Sequence, residues 1–255
     1  APTVKSPLRA SVPDGARQRI AGGEVETVTV DNSPMRLYLS QPEGSGPFPA
    51  VVVLQNQDGV GEFTQEMTRR VAQAGYVAIA PELYHREGEP KTAEQTASIK
   101  NYRRDANVIN DIDATIGFLR GCAKANTAKL GIVGVCMGGR IAFLMAAGKQ
   151  SFKAAVDFYG GGVYSQWGGR PAAAALGADV SCPIQGHFGV LDRNPPPDEM
   201  RRLDAELTKL GKEHQFFFYA NAPHGFNRQG WQGYRPEADS ASWARTLEFF
   251  SKHLK

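Results

Sequence analysis

The chain has few cysteines, no long apolar run and a nearly balanced charge, and each of these features excludes a class of protein. Three cysteines in 255 residues cannot form a disulfide framework, and their odd number leaves at least one thiol free. No apolar run approaches the roughly 18 residues that a membrane-spanning helix needs. A net charge of +3, spread along the chain, argues against binding to nucleic acid or to a membrane.

Motifs for metals, nucleotides and phosphate are also missing. The sequence has no H-x-x-x-H, no C-x-x-C and no clustered carboxylates, so we predict no metal site. It has neither G-x-G-x-x-G nor a Walker loop. Residues 160–162 are three glycines without the Lys and Ser/Thr partners that a phosphate loop needs, and they predict a flexible loop. We therefore expect no cofactor.

The composition is ordinary for a soluble globular protein, with 42% hydrophobic and 22% charged residues. The sequence begins at Ala1 without a signal-like apolar stretch. We predict a cytoplasmic protein, with a periplasmic form left after removal of a leader as the alternative. Nothing in the sequence predicts an oligomeric state.

Strand-like and helical patterns alternate from residue 50 onward. Ala50–Leu54 is a continuous apolar run, typical of a parallel strand that is buried on both faces. Apolar residues at three- and four-residue spacing, such as Ile112 and Ile116, predict helices between the strands. This alternation predicts an α/β fold with a mostly parallel sheet and helices on both faces.

The region before this alternation predicts a β-hairpin. Residues 24–30 and 35–40 alternate apolar with polar side chains, as half-exposed strands do. The intervening residues 31–34, DNSP, are typical of a turn, so the hairpin should add antiparallel strands to the sheet. Residues 1–22 contain three prolines and no periodic pattern, and predict an extended arm. We expect residues 23–255 to form a single domain.

The stretch KLGIVGVCMGGR, residues 129–140, predicts a strand, a tight turn and the start of a helix. A G-x-nucleophile-x-G elbow requires this context, and here Cys136 is at its apex. The flanking glycines are explained if a Cβ there would collide with the neighbouring strand and helix. A buried, inert cysteine is the alternative interpretation, because free cysteines are often core residues.

Two further residues favour the nucleophile. Asp192 follows a predicted strand at 183–190, and His224 follows the last predicted strand at 214–219. Nucleophile, acid and histidine then occur in the order of the α/β-hydrolases, at the strand ends where such folds bind ligands. Asp157, at the end of the preceding strand, is the rival acid. The remaining histidines are on or beside strands, or near the chain end: His85, His187, His214 and His253.

These residue types suit acyl transfer. A free thiol is mostly protonated at neutral pH, so Cys136 needs His224 to take its proton. Asp192 would hold the imidazole tautomer and stabilise the imidazolium, and the following helix would favour a thiolate at its amino terminus. The backbone N–H groups of Met137 and Gln57 are the predicted oxyanion donors.

With these residues identified, the chain resembles the dienelactone hydrolases (carboxymethylenebutenolidases) over roughly residues 24–253. The matching segments are the G-x-C-x-G-G elbow, Gly75-Tyr76-Val77-Ala78, Pro81-Glu82-Leu83-Tyr84, Asp192 and His224-Gly225-Phe226. The resemblance implies an α/β-hydrolase fold and a triad of Cys136, Asp192 and His224. It also implies hydrolysis of a small ester or lactone, with or without a carboxylate, through a thioester acyl-enzyme and without a cofactor.

The resemblance also implies a substrate site. An arginine four residues after the catalytic histidine binds the substrate carboxylate in that family, and Arg228 has this spacing. Arg103 is the candidate for a second such arginine, and Phe158 and Tyr159 should line the pocket. Asn56 departs from the pattern, because the family has a glutamate there that helps to activate the thiol.

An asparagine cannot accept that proton, so activation must differ. Either it depends on His224 alone, which we favour, or Asp58 reaches the thiol. Three other functions compete with a lactone hydrolase: a short-chain carboxylesterase without preference for acidic lactones, a non-catalytic ligand-binding or sensor protein, and a thiol redox protein that pairs Cys136 with Cys122 or Cys182. Turnover of esters and lactones distinguishes the hydrolases from the other two.

Overall fold

The structure is a computed structural model that describes residues 18–20, 22–88, 92, 94–95, 104–148 and 151–255. In these ranges the strands are β1 Gln18–Ile20, β2 Gly23–Val30, β3 Ser33–Ser40, β4 Phe48–Leu54, β5 Val77–Pro81, β6 Ala125–Val135, β7 Ala154–Phe158, β8 Ile184–Gly189 and β9 His214–Tyr219. The α-helices are α1 Glu62–Gln73, α2 Asp105–Arg120, α3 Met137–Gly148, α4 Pro197–Lys209 and α5 Pro236–Leu254, and a 3-10 helix spans Ala173–Asp179.

All nine described strands form one sheet in the order β1-β2-β3-β5-β4-β6-β7-β8-β9. Strands β5, β4, β6, β7, β8 and β9 are parallel to one another. The pairs β1–β2, β2–β3 and β3–β5 are antiparallel. The predicted α/β fold, with a mostly parallel sheet and an antiparallel hairpin, is confirmed.

Strand β4 explains why a continuous apolar run is needed at the centre of the sheet. Its side chains alternate between two faces: Val52 belongs to a core cluster that includes residues of α2, α3 and α4, whereas Val51 and Val53 belong to one that includes residues of α1 and α5. All five residues of Ala50–Leu54 are fully buried. Helices therefore cover both faces of the sheet, as predicted, and Ala50–Leu54 has no contact with water on either face.

The hairpin of β2 and β3 has a two-residue turn, Asp31 and Asn32, with φ angles of 50° and 62°. Two successive residues in the left-handed region give the turn that matches the twist of a hairpin, and Asp and Asn tolerate it well. Residues 18–20 differ from the prediction, because they pair with Gly23–Val25 as strand β1. Three residues are too few for an apolar alternation. Residues 1–17 of the predicted arm are outside the described residues.

The carboxyl ends of the parallel strands meet at one edge of the sheet. The segments after β4, β6, β7, β8 and β9 all leave from this edge and carry the residues considered next. Helix α5 begins at Pro236, which lies in its first turn. Proline suits that position, because the first N–H of a helix has no intrahelical acceptor.

Candidate active site

Cys136 is at the turn between β6 and α3 with a φ of 55°, in the left-handed region. The two flanking glycines have no room for a side chain. A Cβ on Gly134 would be 2.0 Å from the Gly138 carbonyl oxygen, and one on Gly138 would be 2.5 Å from the Leu54 oxygen. The strand–turn–helix context and the predicted collisions are therefore confirmed, and the crowded backbone presents Cys136 at the sheet edge.

Asp192, His224 and Cys136 lie together at the carboxyl edge of the sheet, where all three line one cavity. His224 Nδ1 is 2.9 Å from Asp192 Oδ2, and the other carboxylate oxygen accepts the Asn194 N–H at 2.8 Å. The Asp192 side chain is buried, whereas His224 is partly exposed. His224 and Cys136 also line a second cavity together. The acid on the histidine is therefore Asp192, and the orientation of the ring leaves Nε2 for the thiol.

The charge state of His224 follows from these contacts. Burial alone would lower the pKa of His224, because it penalises the charged imidazolium. Hydrogen bonds to Asp192 and Cys136, together with the negative charges of both, outweigh burial and raise the pKa of His224 to about 10. His224 is therefore an imidazolium at neutral pH, in the cavities that Cys136 also lines.

The rival acid, Asp157, has a different position. It is buried below the elbow, where its Oδ1 accepts the Gly160 N–H at 2.7 Å and its Oδ2 has no partner. Burial raises the pKa of Asp157 to about 7, although the bond from Gly160 lowers it. This carboxyl holds the turn after β7 and makes no described contact with His224.

The predicted oxyanion donors are next to Cys136. Met137 is the first residue of α3, so its N–H has no intrahelical acceptor. Gln57, in the loop after β4, lines the same cavities as Cys136. The buried Tyr84 joins the two, because its hydroxyl donates to the Gln57 carbonyl oxygen at 3.2 Å and is 3.3 Å from Met137 Sδ.

Cys136 faces a cavity of about 360 Å³ whose wall carries the charged candidates. We call the part next to Arg228 the Arg228 lobe; its defining residues are Asn56, Asp58, Tyr159 and Arg228. The Tyr159 hydroxyl donates to Asn227, and burial, followed by the negative charge of Cys136, raises the pKa of Tyr159 well above its usual value. Tyr159 therefore stays uncharged beside the thiol.

Arg228 is already paired in this lobe. Its guanidinium is 2.9 Å from Asp58 Oδ2, and both side chains are partly exposed. Asn56 contacts the same acid, since its amide donates to Asp58 Oδ2 at 3.2 Å and its oxygen accepts the Asp58 N–H at 3.1 Å. The Asp58 carboxylate thus binds the two predicted substrate-binding residues, Arg228 and Asn56.

Of the two other predicted substrate-binding residues, Phe158 differs from expectation and Arg103 is not tested. Phe158 does not line the cavity; its ring packs inside the protein against His187 at 4.7 Å, because the last side chain of β7 points to that face. Its carbonyl oxygen accepts the Cys136 N–H at 2.9 Å, which ties the elbow to β7. Arg103 is outside the described residues. Its neighbour Arg104 lines a separate, smaller cavity near Trp167.

Sequence reasoning missed several residues of the site. Phe63 and Trp231 line the Arg228 lobe, each with its ring centroid 5.6 Å from the Arg228 guanidinium carbon. The signal for Trp231 was an aromatic residue between two glycines, Gly230 and Gly233, in the loop after His224. Phe63 gave no signal, because an aromatic residue in an amphipathic helix is usually a core residue.

Comparison with known proteins identifies the family. The model of the "Dienelactone hydrolase family" matches residues 35–254. The chain belongs to the dienelactone hydrolase family. A protein of this family from Methylorubrum extorquens, named "Putative carboxymethylenebutenolidase", is 34% identical over 239 residues, which are 92% of this chain and 82% of the relative. The predicted resemblance is thus confirmed.

Two further relatives extend the comparison. A Bradyrhizobium protein, named "Probable 2-oxo-3-(5-oxofuran-2-ylidene)propanoate lactonase", is 32% identical over 90% of this chain and 96% of its own. The crystal structure of a "Putative Dienelactone Hydrolase" from Klebsiella pneumoniae superposes with a TM-score of 0.84 and 30% identity, covering 90% of this chain and 98% of that one.

As a dienelactone hydrolase family member, the chain is an ester or lactone hydrolase with a small-molecule substrate. The prediction of an enzyme is confirmed. In the residues that the structure describes, no group of three or more His, Cys, Asp or Glu side chains could hold a metal ion. Over the same residues, no helix combines the length and the apolar character needed to cross a membrane.

Proposed function

We propose that the chain hydrolyses a small ester or lactone through a thioester acyl-enzyme on Cys136. One observation carries the proposal: His224, hydrogen-bonded to Asp192, shares a cavity with Cys136 at a strained elbow. Nucleophilic catalysis needs this arrangement of a nucleophile, a base in contact with it and a third group that orients the base.

In the first half-reaction the Cys136 thiolate attacks the carbonyl carbon of the substrate, and the carbonyl π electrons move to oxygen. The Met137 and Gln57 N–H groups donate to that oxyanion. Collapse of the tetrahedral intermediate breaks the bond to the leaving oxygen, which takes a proton from His224. The product of this step is a thioester on Cys136 and an alcohol, which stays attached to the acyl chain in a lactone.

In the second half-reaction neutral His224 takes a proton from a water molecule, and the resulting hydroxide attacks the thioester. The carbon–sulfur bond breaks, the acid leaves and Cys136 returns to the thiolate beside the His224 imidazolium. Asp192 keeps Nδ1 protonated throughout, so that Nε2 exchanges the proton.

Thiol activation depends on His224 alone in this proposal. Asn56 cannot accept a proton. Asp58 is bonded to Arg228 and Asn56, which supports a binding role for it and not a role as a base. His224, which is oriented by Asp192 and shares a cavity with Cys136, is the one base that the proposal needs.

A carboxylate-bearing substrate is the specific class that we propose. Arg228 supplies a cation in the cavity of Cys136. The substrate carboxylate would replace Asp58 on the guanidinium, as a charge-assisted pair in a concave site. The Bradyrhizobium relative is named for the lactone of an acid, which is consistent with this class. A general esterase without this preference is the alternative.

We expect opposite effects from changing the two members of the Arg228–Asp58 pair. Arg228→Ala should raise KM for an acidic lactone about tenfold, as one charge-assisted contact is lost. Asp58→Asn should lower that KM by up to about fivefold, because the substrate no longer displaces a carboxylate from a partly exposed ion pair. Steady-state kinetics on an acidic lactone and on its neutral methyl ester measure both effects.

The neutral substrate is the control, and its KM should change less than about twofold in both variants, since no charge is lost from its contacts. Equal effects on the acidic and neutral substrates would remove Arg228 from carboxylate binding. If the unmodified protein turns over neither substrate but is stabilised thermally by both, the non-catalytic binding protein replaces the hydrolase.

The pKa of His224 provides a second test. We expect His224 to titrate near pH 10, and turnover to fall as pH rises through that value, because the acid that protonates the leaving oxygen is then lost. In Cys136→Ala and in Asp192→Asn the pKa of His224 should fall towards the usual 6.5. Each variant removes one of the interactions that raise this pKa, while burial still lowers it. Imidazole ¹⁵N NMR measures these midpoints.

His187 is the internal control for this titration. It is fully buried, and burial followed by the charge of Arg245 lowers its pKa to about 3. His187 should stay neutral from pH 6 to 11 in the unmodified protein, in Cys136→Ala and in Asp192→Asn. A His224 midpoint that is the same in all three proteins would contradict the coupling of His224 to Cys136 and Asp192.

A further inference from the structure

Cys136 faces a second cavity, of about 650 Å³, on the side of the loop after β8. We call it the Leu191 lobe; its defining residues are Leu191, Arg193, Asn194, Pro223 and Gln232. It shares Gln57, Cys136, His224 and Trp231 with the cavity of the Arg228 lobe. The reacting sulfur and its base therefore lie where the two lobes meet.

One part of the Leu191 lobe is apolar and exposed to solvent, and the rest is polar. Four large apolar side chains are exposed in the described part of the chain, and two of them, Leu191 at 57% and Trp231 at 41%, line this lobe. Pro223 adds a third apolar side chain. Such side chains beside a reactive group are typical of a ligand-binding surface.

The chemistry of an ester explains why two lobes would meet at one sulfur. In an open-chain ester the acyl group and the alcohol extend from the carbonyl carbon in different directions, whereas a small lactone holds both in one ring. A lactone therefore needs one lobe, and an ester with a sizeable alcohol needs two. The leaving oxygen must be near His224, which protonates it.

We propose that the Leu191 lobe binds the apolar alcohol of an open-chain ester while the acyl group occupies the Arg228 lobe. This inference rests on the proposed hydrolysis at Cys136. The orientation follows from the two surfaces: the Arg228–Asp58 ion pair suits a polar acyl group, and Leu191, Pro223 and Trp231 suit an apolar alcohol. The loop that carries Leu191 also carries Asp192, next to His224.

The test compares two butanoate esters, propyl and 2-phenylethyl, whose alcohols have nearly equal acidity, so that the comparison reports binding and not leaving-group chemistry. We expect kcat/KM to be about fivefold higher for the phenylethyl ester, from partial burial of the ring. Leu191→Asn should remove most of that preference and leave kcat/KM for a small lactone within about twofold.

Leu210→Asn is the matched control. Leu210 is also an exposed leucine, at 46%, but it follows α4 at the opposite edge of the sheet. The Leu191 backbone is held by its N–H bond to Ala222 at 3.0 Å, so the side chain is replaceable without loss of the loop. The control variant should keep the full preference.

Two outcomes overturn the inference. Equal kcat/KM for the two esters in the unmodified protein would mean that the lobe gives no alcohol selectivity. A phenylethyl preference that survives in Leu191→Asn would place the alcohol elsewhere. Failure of the proposed function looks different, because then no ester or lactone is turned over, or Cys136→Ala keeps its activity.

Discussion

Replacement of Cys136 by alanine should lower kcat/KM for a small ester by about 10⁴-fold, because the only group that forms the acyl-enzyme is lost. The residual rate would come from binding and the oxyanion donors. Alanine tolerates the φ of 55° no worse than cysteine does, so the elbow should be retained. Steady-state kinetics, with a far-ultraviolet spectrum to check the fold, measure the effect.

Mass spectrometry of a rapidly quenched reaction should find the acyl mass on the peptide that contains Cys136. Cys122→Ala is the matched control: Cys122 is a half-buried cysteine just after α2, and its loss should change kcat/KM less than about twofold. Full activity in Cys136→Ala would contradict a mechanism through a thioester on Cys136. Loss of activity in Cys122→Ala would instead support the alternative of a thiol redox protein that pairs Cys136 with Cys122.

Arg140→Met should lower the free energy of unfolding by about 3–5 kcal/mol, because it leaves a buried carboxylate without its partner. Arg140 and Asp105 are both fully buried, with guanidinium–carboxylate distances of 2.8 and 3.2 Å. Arg140 also donates to the carbonyl oxygens of Gly162 and Ser165 at 3.1 Å, and its guanidinium carbon is 3.6 Å from the centre of the Trp167 ring. One side chain thus joins the elbow helix to α2 and to the loop after β7.

Urea unfolding measures the loss, and Arg202→Met is the matched control. Arg202 pairs with Glu206 at 2.8 Å, but its side chain is 65% exposed, and such pairs contribute about 0.5 kcal/mol or less. The double variant Arg140→Met, Asp105→Asn should recover part of the stability, since no charge remains buried. If Arg140→Met and Arg202→Met lower the free energy of unfolding equally, burial of the Arg140–Asp105 pair does not explain the loss in Arg140→Met.

Local pattern was enough for most of the fold. The runs that became β4 and β9 were predicted to within two residues, because short runs of β-branched or aromatic side chains favour a strand. The hairpin turn followed from Asp31 and Asn32, which tolerate left-handed backbone. Strand β1 was missed, since three residues owe their conformation to pairing with β2 and not to their own sequence.

The order of the reactive groups was also a property of the sequence. Cys136, Asp192 and His224 each follow a strand, and parallel strands bring their carboxyl ends to one edge, so their proximity could be predicted without coordinates. The glycines beside Cys136 gave the elbow. The sequence favoured Asp192 and kept Asp157 as the rival acid, and in the fold His224 contacts Asp192 whereas Asp157 accepts the Gly160 N–H.

By itself, the sequence determined the fold class, the elbow and the order of its three reactive groups, because periodicity and turn chemistry act over a few neighbouring residues. Only the tertiary structure decided what surrounds them. Asp58 and Arg228 are 170 positions apart, and their pairing follows from how two loops pack at the sheet edge. The two lobes that meet at Cys136 have the same origin, since a cavity is formed by distant segments together and no segment encodes it alone.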